Sequence, residues 1–236
     1  MAPASPPDGD IVVQRPEQSA QLILLLHGVG SQAASMVPLG QQLASAFPQA
    51  MVVSVQGPWP SDLQQGFQWF SVLGITEDNR QARVHAAMPA FVARIAHWQQ
   101  QAGLGAEATA LVGFSQGAIM ALESTQLGES GASAAPAGRV VALAGRFATL
   151  PLDDRYRGSV HLLHGKSDGV ISYELAIVAA HRLKALGVDF TAEVRPGIGH
   201  EVPPELGELV VQRLQNHISH HLMQEGSRAD SSGTVH

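Results

Sequence analysis

Ser115 lies in Gly113-Phe114-Ser115-Gln116-Gly117, with the apolar run Thr109-Ala110-Leu111-Val112 before it and Ala118-Ile119-Met120 after it. A strand that ends in Gly-x-Ser-x-Gly and passes straight into a helix is the layout of a nucleophile elbow, a tight turn that lifts a serine hydroxyl above the edge of a sheet. The five-residue pattern alone says little in a chain with 24 glycines. The strand before it and the helix after it carry the reading. The chemistry it suits is acyl transfer by a serine nucleophile.

A serine hydroxyl attacks poorly until a base takes its proton and an acid orients that base. On a parallel α/β sheet the partners follow in the order Ser, then Asp or Glu, then His, each just past a strand. Asp168 follows the expected strand Val160–Leu163, and His200 follows the expected strand Phe190–Val194 in Gly197-Ile198-Gly199-His200. Taken alone, Asp168 reads equally well as a turn or helix-cap aspartate, and His200 as a solvated loop histidine. Their order and placement after Ser115 favour a catalytic set of Ser115, Asp168 and His200. Asp153 and Asp154 follow a proline-containing loop, Glu174 falls in an expected helix, and Glu201 adjoins His200 too closely to orient it. These are the weaker acids. Acyl transfer also needs donors for a developing oxyanion. The backbone N–H of Val29, in Leu26-His27-Gly28-Val29-Gly30 after a buried strand, and that of Gln116, at a helix N-terminus, are the expected pair. His27 is expected to brace that turn.

These residues need a scaffold, and strand and helix patterns alternate along the chain. Leu22–Leu26 is a continuous apolar run of strand length, and Met51–Val55, Val140–Leu143 and Val160–Leu163 are read as further strands. Helices are expected over Met36–Phe47, from Thr76 through Trp98, over Gln116–Gln126, Tyr173–Leu186 and Pro204–Leu222. In the second of these, Val84, Met88, Phe91, Ile95 and Trp98 form one stripe, and Pro89 should kink or divide the helix. Gln56–Ile75 reads as a long irregular segment, and Gly128–Gly138 as a flexible surface connection. The pattern predicts an α/β fold with a mostly parallel central sheet, helices on both faces and function at the carboxyl ends of the strands. One domain over residues 11–223 is expected, with a loose lead-in over 1–10 and an unordered tail over 224–236. Within the irregular segment, Trp69, Phe70 and Leu73 are expected to line an apolar substrate pocket, since long loops are disproportionately functional. The bland reading is that they seal the sheet.

Composition narrows the partners. The net charge of −6, with 14 Lys and Arg and no basic run, disfavours nucleic acid. There is no cysteine, hence no thiol nucleophile, disulfide or thiolate metal site. Met1–Asp10 lacks the pattern of a signal peptide, and no apolar stretch approaches the roughly 18 residues of a spanning helix. A cytoplasmic protein without integral membrane association is expected. Gly28-Val29-Gly30 lacks the third glycine of a dinucleotide fingerprint. His217, His220 and His221 are read as a helix face rather than metal ligands, so neither metal nor cofactor is expected.

With Leu26-His27-Gly28-Val29-Gly30, Trp69-Phe70, Gly113-Phe114-Ser115-Gln116-Gly117, His164-Gly165-x-x-Asp168 and Gly197-x-Gly199-His200 in this order, the chain resembles the phospholipase/carboxylesterase family. That is the branch of the α/β-hydrolase fold that includes acyl-protein thioesterases. The resemblance runs from about Ile11 to Leu222. It implies Ser115, Asp168 and His200 as a triad, with Val29 and Gln116 as oxyanion donors. Ser31 and Ser71 depart from it, standing where many members carry Asp. The expected activity is hydrolysis of small-molecule carboxylic esters through an acyl-enzyme. The alternative is a thioesterase acting on acyl-protein or acyl-carrier substrates. A second alternative is a non-catalytic binding protein on the same fold, whose usual mark, loss of a triad member, is absent here.

Overall fold

Leu22–Leu26 can be apolar throughout because neither face of this strand meets water, each residue being at most 1% exposed. The computed structural model describes residues 8–128 and 134–216. Along them run β1 (Ile11–Gln14), β2 (Gln21–Leu26), α1 (Val37–Ala46), β3 (Ala50–Val55), β4 (Trp59–Pro60), β5 (Phe67–Gln68) and α2 (Glu77–Ala102). They continue as β6 (Thr109–Phe114), α3 (Gln116–Ser124), β7 (Arg139–Leu143), β8 (Ser159–Gly165), α4 (Glu174–Leu186), β9 (Asp189–Arg195) and α5 (Pro204–Asn216). Seven strands form one sheet in the order β1-β3-β2-β6-β7-β8-β9. Every neighbouring pair is parallel except β1 with β3.

Alternate residues of each strand feed opposite faces. Leu22, Leu24, Leu26, Leu111 and Val160 pack with Val84, Phe91, Ile95 and Trp98 of α2, with α3 and with Leu183 of α4. Ile23, Leu25, Val52, Val112 and Leu163 pack with Leu39 and Leu43 of α1 and with Leu206, Val210 and Leu214 of α5. The mostly parallel sheet covered on both faces therefore stands as expected.

Several local expectations change. α2 is one helix through Pro89 rather than two. Pro89 and His85, whose carbonyl the ring leaves without a donor, both lie on the exposed side, while the stripe from Val84 to Trp98 is clamped to the sheet. The helix expected from Met36 begins as a 3-10 turn, Ala33–Met36, before α1. The segment 56–75 contains a two-stranded hairpin, β4 against β5. The loose lead-in ends earlier than residue 10. Asp10 is buried, and its Oδ1 accepts from the Gln56 N–H at 2.7 Å, while Oδ2 accepts from Arg94 Nη1 at 2.9 Å and Trp98 Nε1 at 2.8 Å. Residues 1–7, the middle of the 128–138 connection, the part of the last expected helix past residue 216 with His217, His220 and His221, and the expected tail lie outside the described residues.

Glu123 is the acid that α3 carries into the core, with its side chain 1% exposed. Burial pushes its carboxyl up to about 7, against the opposing pull of the Thr149 and Ala148 N–H groups that donate to it. A carboxyl whose pKa is higher folded than unfolded stabilises the fold below its unfolded value, and that contribution is lost as pH rises through about 7. Glu123→Gln keeps an oxygen for the two amides and removes the titration. It is expected to gain stability relative to the parent between roughly pH 5 and 8, by up to about 3 kcal/mol. Urea midpoints across that range test it, and parallel pH curves for the two proteins would contradict it.

Candidate active site

Parallel pairing brings the reactive segments to one edge. Leu26 is in register with Gly113, and Gly165 with Arg195, so the loops after β2, β6, β8 and β9 all leave the sheet on the same side. Ser115, between β6 and α3, has φ 52° and ψ −114°, a conformation that costs a non-glycine residue about 1–3 kcal/mol. The turn is closed by Ser115 N–H to Leu143 O at 2.9 Å and Ile119 N–H to Ser115 O at 3.0 Å. Gly117 lets α3 lie on β2, because a Cβ there would stand 2.3 Å from the Leu26 carbonyl oxygen. Gly165 does the same for the histidine loop, where a Cβ would come 2.3 Å from the Ile198 carbonyl oxygen.

The three residues singled out by order and spacing meet. His200 Nε2 is 2.9 Å from Ser115 Oγ, and His200 Nδ1 is 2.7 Å from Asp168 Oδ2. The Asp168 side chain is wholly buried, whereas that of His200 is 18% exposed, so solvent reaches the imidazole but not its carboxylate. The Phe114 ring lies 4.9 Å from the imidazole, centroid to centroid. Asp168 Oδ1 accepts from Val170 N–H at 2.8 Å and Ile171 N–H at 2.9 Å, so the turn-aspartate reading also holds. Burial pushes the Asp168 carboxyl up, but the His200 hydrogen bond and these two amides outweigh it and hold the group below the ordinary carboxylate value.

The turn after β2 is held rigidly. His27 is fully buried, and its Nδ1–H donates to Gly28 O at 2.7 Å while Nε2 accepts from Gly57 N–H at 2.9 Å. Burial lowers its pKa despite the Gly28 contact, so the ring is a neutral brace. Gly30 N–H donates to Phe67 O at 2.9 Å and Phe67 N–H to Ser31 O at 2.7 Å, tying the turn to β5. Val29 N–H has no acceptor among the described residues. Gln116, the first residue of α3, has no carbonyl one turn back to receive its N–H.

The aromatic segment is placed differently from the pocket expectation. Trp69 and Phe70 are 2% and 4% exposed and belong to the core. Trp69 Nε1 donates to His27 O at 2.9 Å, and the Gln116 side chain takes the Trp69 N–H at 2.8 Å and donates to Phe70 O at 2.7 Å. Trp69 also borders a small cavity on its α2 side with Pro58, Phe91 and Met120. Leu73 is 74% exposed, and its N–H, with that of Val72 and the Ser71 hydroxyl, donates to Asp62 Oδ2. Among the described residues no group of three or more His, Cys, Asp or Glu side chains is gathered as a metal site.

A family model described as phospholipase/carboxylesterase matches residues 8–222. The chain belongs to the phospholipase/carboxylesterase family. As a member it is a hydrolase of the carboxylesterase class with the α/β-hydrolase fold. It is 44% identical over 223 residues to the esterase YpfH of Escherichia coli (strain K12), covering 94% of each chain. It is similar to the crystal structure of esterase PE8, with 28% identity, a TM-score of 0.76 and coverage of 85% of this chain and 94% of that one. It shares its fold with a carboxylesterase from Mesorhizobium loti, at 22% identity and a TM-score of 0.67 over 85% and 90% of the two chains. Among the described residues no helix is long and apolar enough to cross a membrane.

Sequence reasoning missed three supports of this candidate site: the Gln116 side chain, Asp62 bonded to the Leu73 N–H, and His164 beside Asp168. The adjacency of Gln116 to Ser115 pointed to its backbone rather than to its amide side chain, and the motif His164-Gly165-x-x-Asp168 contained His164 but was read for Asp168 alone.

Proposed function

We propose that the chain is a serine carboxylesterase acting on small-molecule carboxylic esters through Ser115, His200 and Asp168. The observation that carries the reading is the unbroken relay from Asp168 Oδ2 to His200 Nδ1 at 2.7 Å and from His200 Nε2 to Ser115 Oγ at 2.9 Å. Asp168 holds the Nδ1–H tautomer, which leaves Nε2 free to take the serine proton as Oγ attacks the ester carbonyl. The N–H groups of Val29 and Gln116 receive the oxyanion, where one such donor is worth roughly 3 kcal/mol. His200 then protonates the departing alcohol and the acyl-enzyme forms on Ser115. Water enters, gives a proton to Nε2 and attacks the acyl carbon; the bond to Oγ then breaks, Nε2 returns the proton to Oγ, and the acid leaves with Ser115 regenerated. No cofactor takes part.

Exposed apolar side chains on the segments that adjoin or brace these residues suit the acyl group. Leu63 is 54% exposed and lies over Gly30, Leu73 is held through Asp62, and Val170, 71% exposed, follows the Asp168 turn. Leu73 is the pocket residue we retain; Trp69 and Phe70 support the turn from behind.

A series of p-nitrophenyl esters from acetyl to long acyl chains tests the reading, run beside matched thioesters. Turnover with an optimum of chain length is expected, with oxygen esters at least as good as thioesters. Thioesters far outrunning their oxygen counterparts would replace the carboxylesterase with a thioesterase using the same groups. No turnover of either, in folded protein that also ignores a fluorophosphonate probe, would leave a binding protein on a hydrolase fold.

A further inference from the structure

His164 is the next-to-last residue of β8, and its side chain is only 1% exposed. Its Nε2 lies 2.8 Å from Ile171 O and 3.2 Å from Asp168 Oδ2. A carbonyl oxygen only accepts, so Nε2 carries a proton. That N–H tethers Ile171, whose own N–H donates to Asp168 Oδ1 at 2.9 Å. The polar hydrogen also sits beside Oδ2, the oxygen that meets His200.

Asp168 is thus gripped on both oxygens. Two amides, of Val170 and Ile171, take Oδ1, and Oδ2 lies between His200 Nδ1 at 2.7 Å and His164 Nε2 at 3.2 Å. A carboxylate with its side chain wholly buried needs such compensation to remain charged. We propose that His164 is a positioning residue of the hydrolytic site, holding the 168–171 turn and the Asp168 carboxylate so that Oδ2 orients His200. It acts through Asp168 and touches neither Ser115 nor substrate. The inference rests on the reading that Ser115, His200 and Asp168 carry out ester hydrolysis.

His164→Phe keeps the buried ring volume and removes the donor. His164→Gln returns an N–H donor at about the reach of Nε2, and His164→Asn carries one too short to reach Ile171. The Phe variant is expected to lower kcat for a p-nitrophenyl ester about 10–100-fold, the usual cost of losing a supporting partner of a catalytic group. KM should change little, and the low-field proton signal of the His200–Asp168 hydrogen bond should weaken or shift. Gln should recover most of the loss. In an Asp168→Asn background the same Phe substitution should add almost nothing, because its route to the reaction is already cut.

A folded Phe variant with parental kcat and an unmoved low-field signal would overturn the inference, as would an equal loss with and without Asp168. Should the Phe variant fail to fold, Gln and Asn supply the contrast, and equal kcat for those two would overturn it. Failure of the underlying reading looks different. The unmodified protein would then turn over no ester, or Ser115→Ala would keep its activity, and the inference would fall with it.

Discussion

Ser115→Ala is expected to lower kcat on the best p-nitrophenyl ester by roughly a millionfold and to abolish labelling by a fluorophosphonate, with the fold intact. The stability half follows from what holds the elbow. The hydrogen bonds that close it, Ser115 N–H to Leu143 O and Ile119 N–H to Ser115 O, belong to the backbone and survive loss of the hydroxyl. Alanine meets the same strain at φ 52°, and α3 still docks on β2 through Gly117. The activity half follows from the relay, since without Oγ nothing forms the acyl-enzyme and His200 has no proton to take. A residue of catalysis over solution should persist through the Val29 and Gln116 donors. Initial rates after active-site titration, together with urea midpoints, check both halves. A folded variant keeping a substantial fraction of parental kcat would remove Ser115 as the nucleophile.

The parts of the site legible in the sequence share a physical cause. Ser115 and Asp168 follow strands buried on two faces, and His200 follows the partly exposed edge strand β9, so the strand pattern itself shows where the carboxyl edge of the sheet must be. Leu22–Leu26 carries that signal in composition alone. The hairpin of Trp59–Pro60 with Phe67–Gln68 does not, because two-residue strands have no periodicity and depend on pairing with each other and with Ser31. Trp69 looked like a pocket wall for a related reason. Its indole is partnered by the His27 carbonyl, 42 residues away in the chain, and nothing local distinguishes a core tryptophan from a pocket tryptophan. Asp10 is tied to Arg94 and Trp98 over 84 and 88 residues, so a proline-rich lead-in hid a buried anchor. Pro89 does not divide the helix: its local cost is real, but tertiary packing of the Val84–Trp98 stripe outweighs it, with the proline on the exposed face.

Asp168→Asn should lower kcat by about 10⁴-fold, a smaller loss than that of the nucleophile, and the surroundings of the carboxylate give the reason. Two N–H donors, of Val170 and Ile171, converge on Oδ1 at 2.8 and 2.9 Å. An asparagine must therefore set its carbonyl oxygen there and turn its NH₂ toward His200 and His164. That NH₂ is a donor where His200 Nδ1 now meets an acceptor. The imidazole responds by placing its proton on Nε2, the nitrogen that has to accept from Ser115 Oγ at 2.9 Å. Attack is blocked at its first proton transfer, with no gross change of shape. KM for a small ester should hold, and fluorophosphonate labelling should slow in step with kcat because both need the same proton removed. A crystal structure of the variant should show the carbonyl oxygen of residue 168 facing the two amides. Parental kcat in Asp168→Asn would show that His200 keeps a working tautomer unaided, and the base would then be oriented by a group other than Asp168.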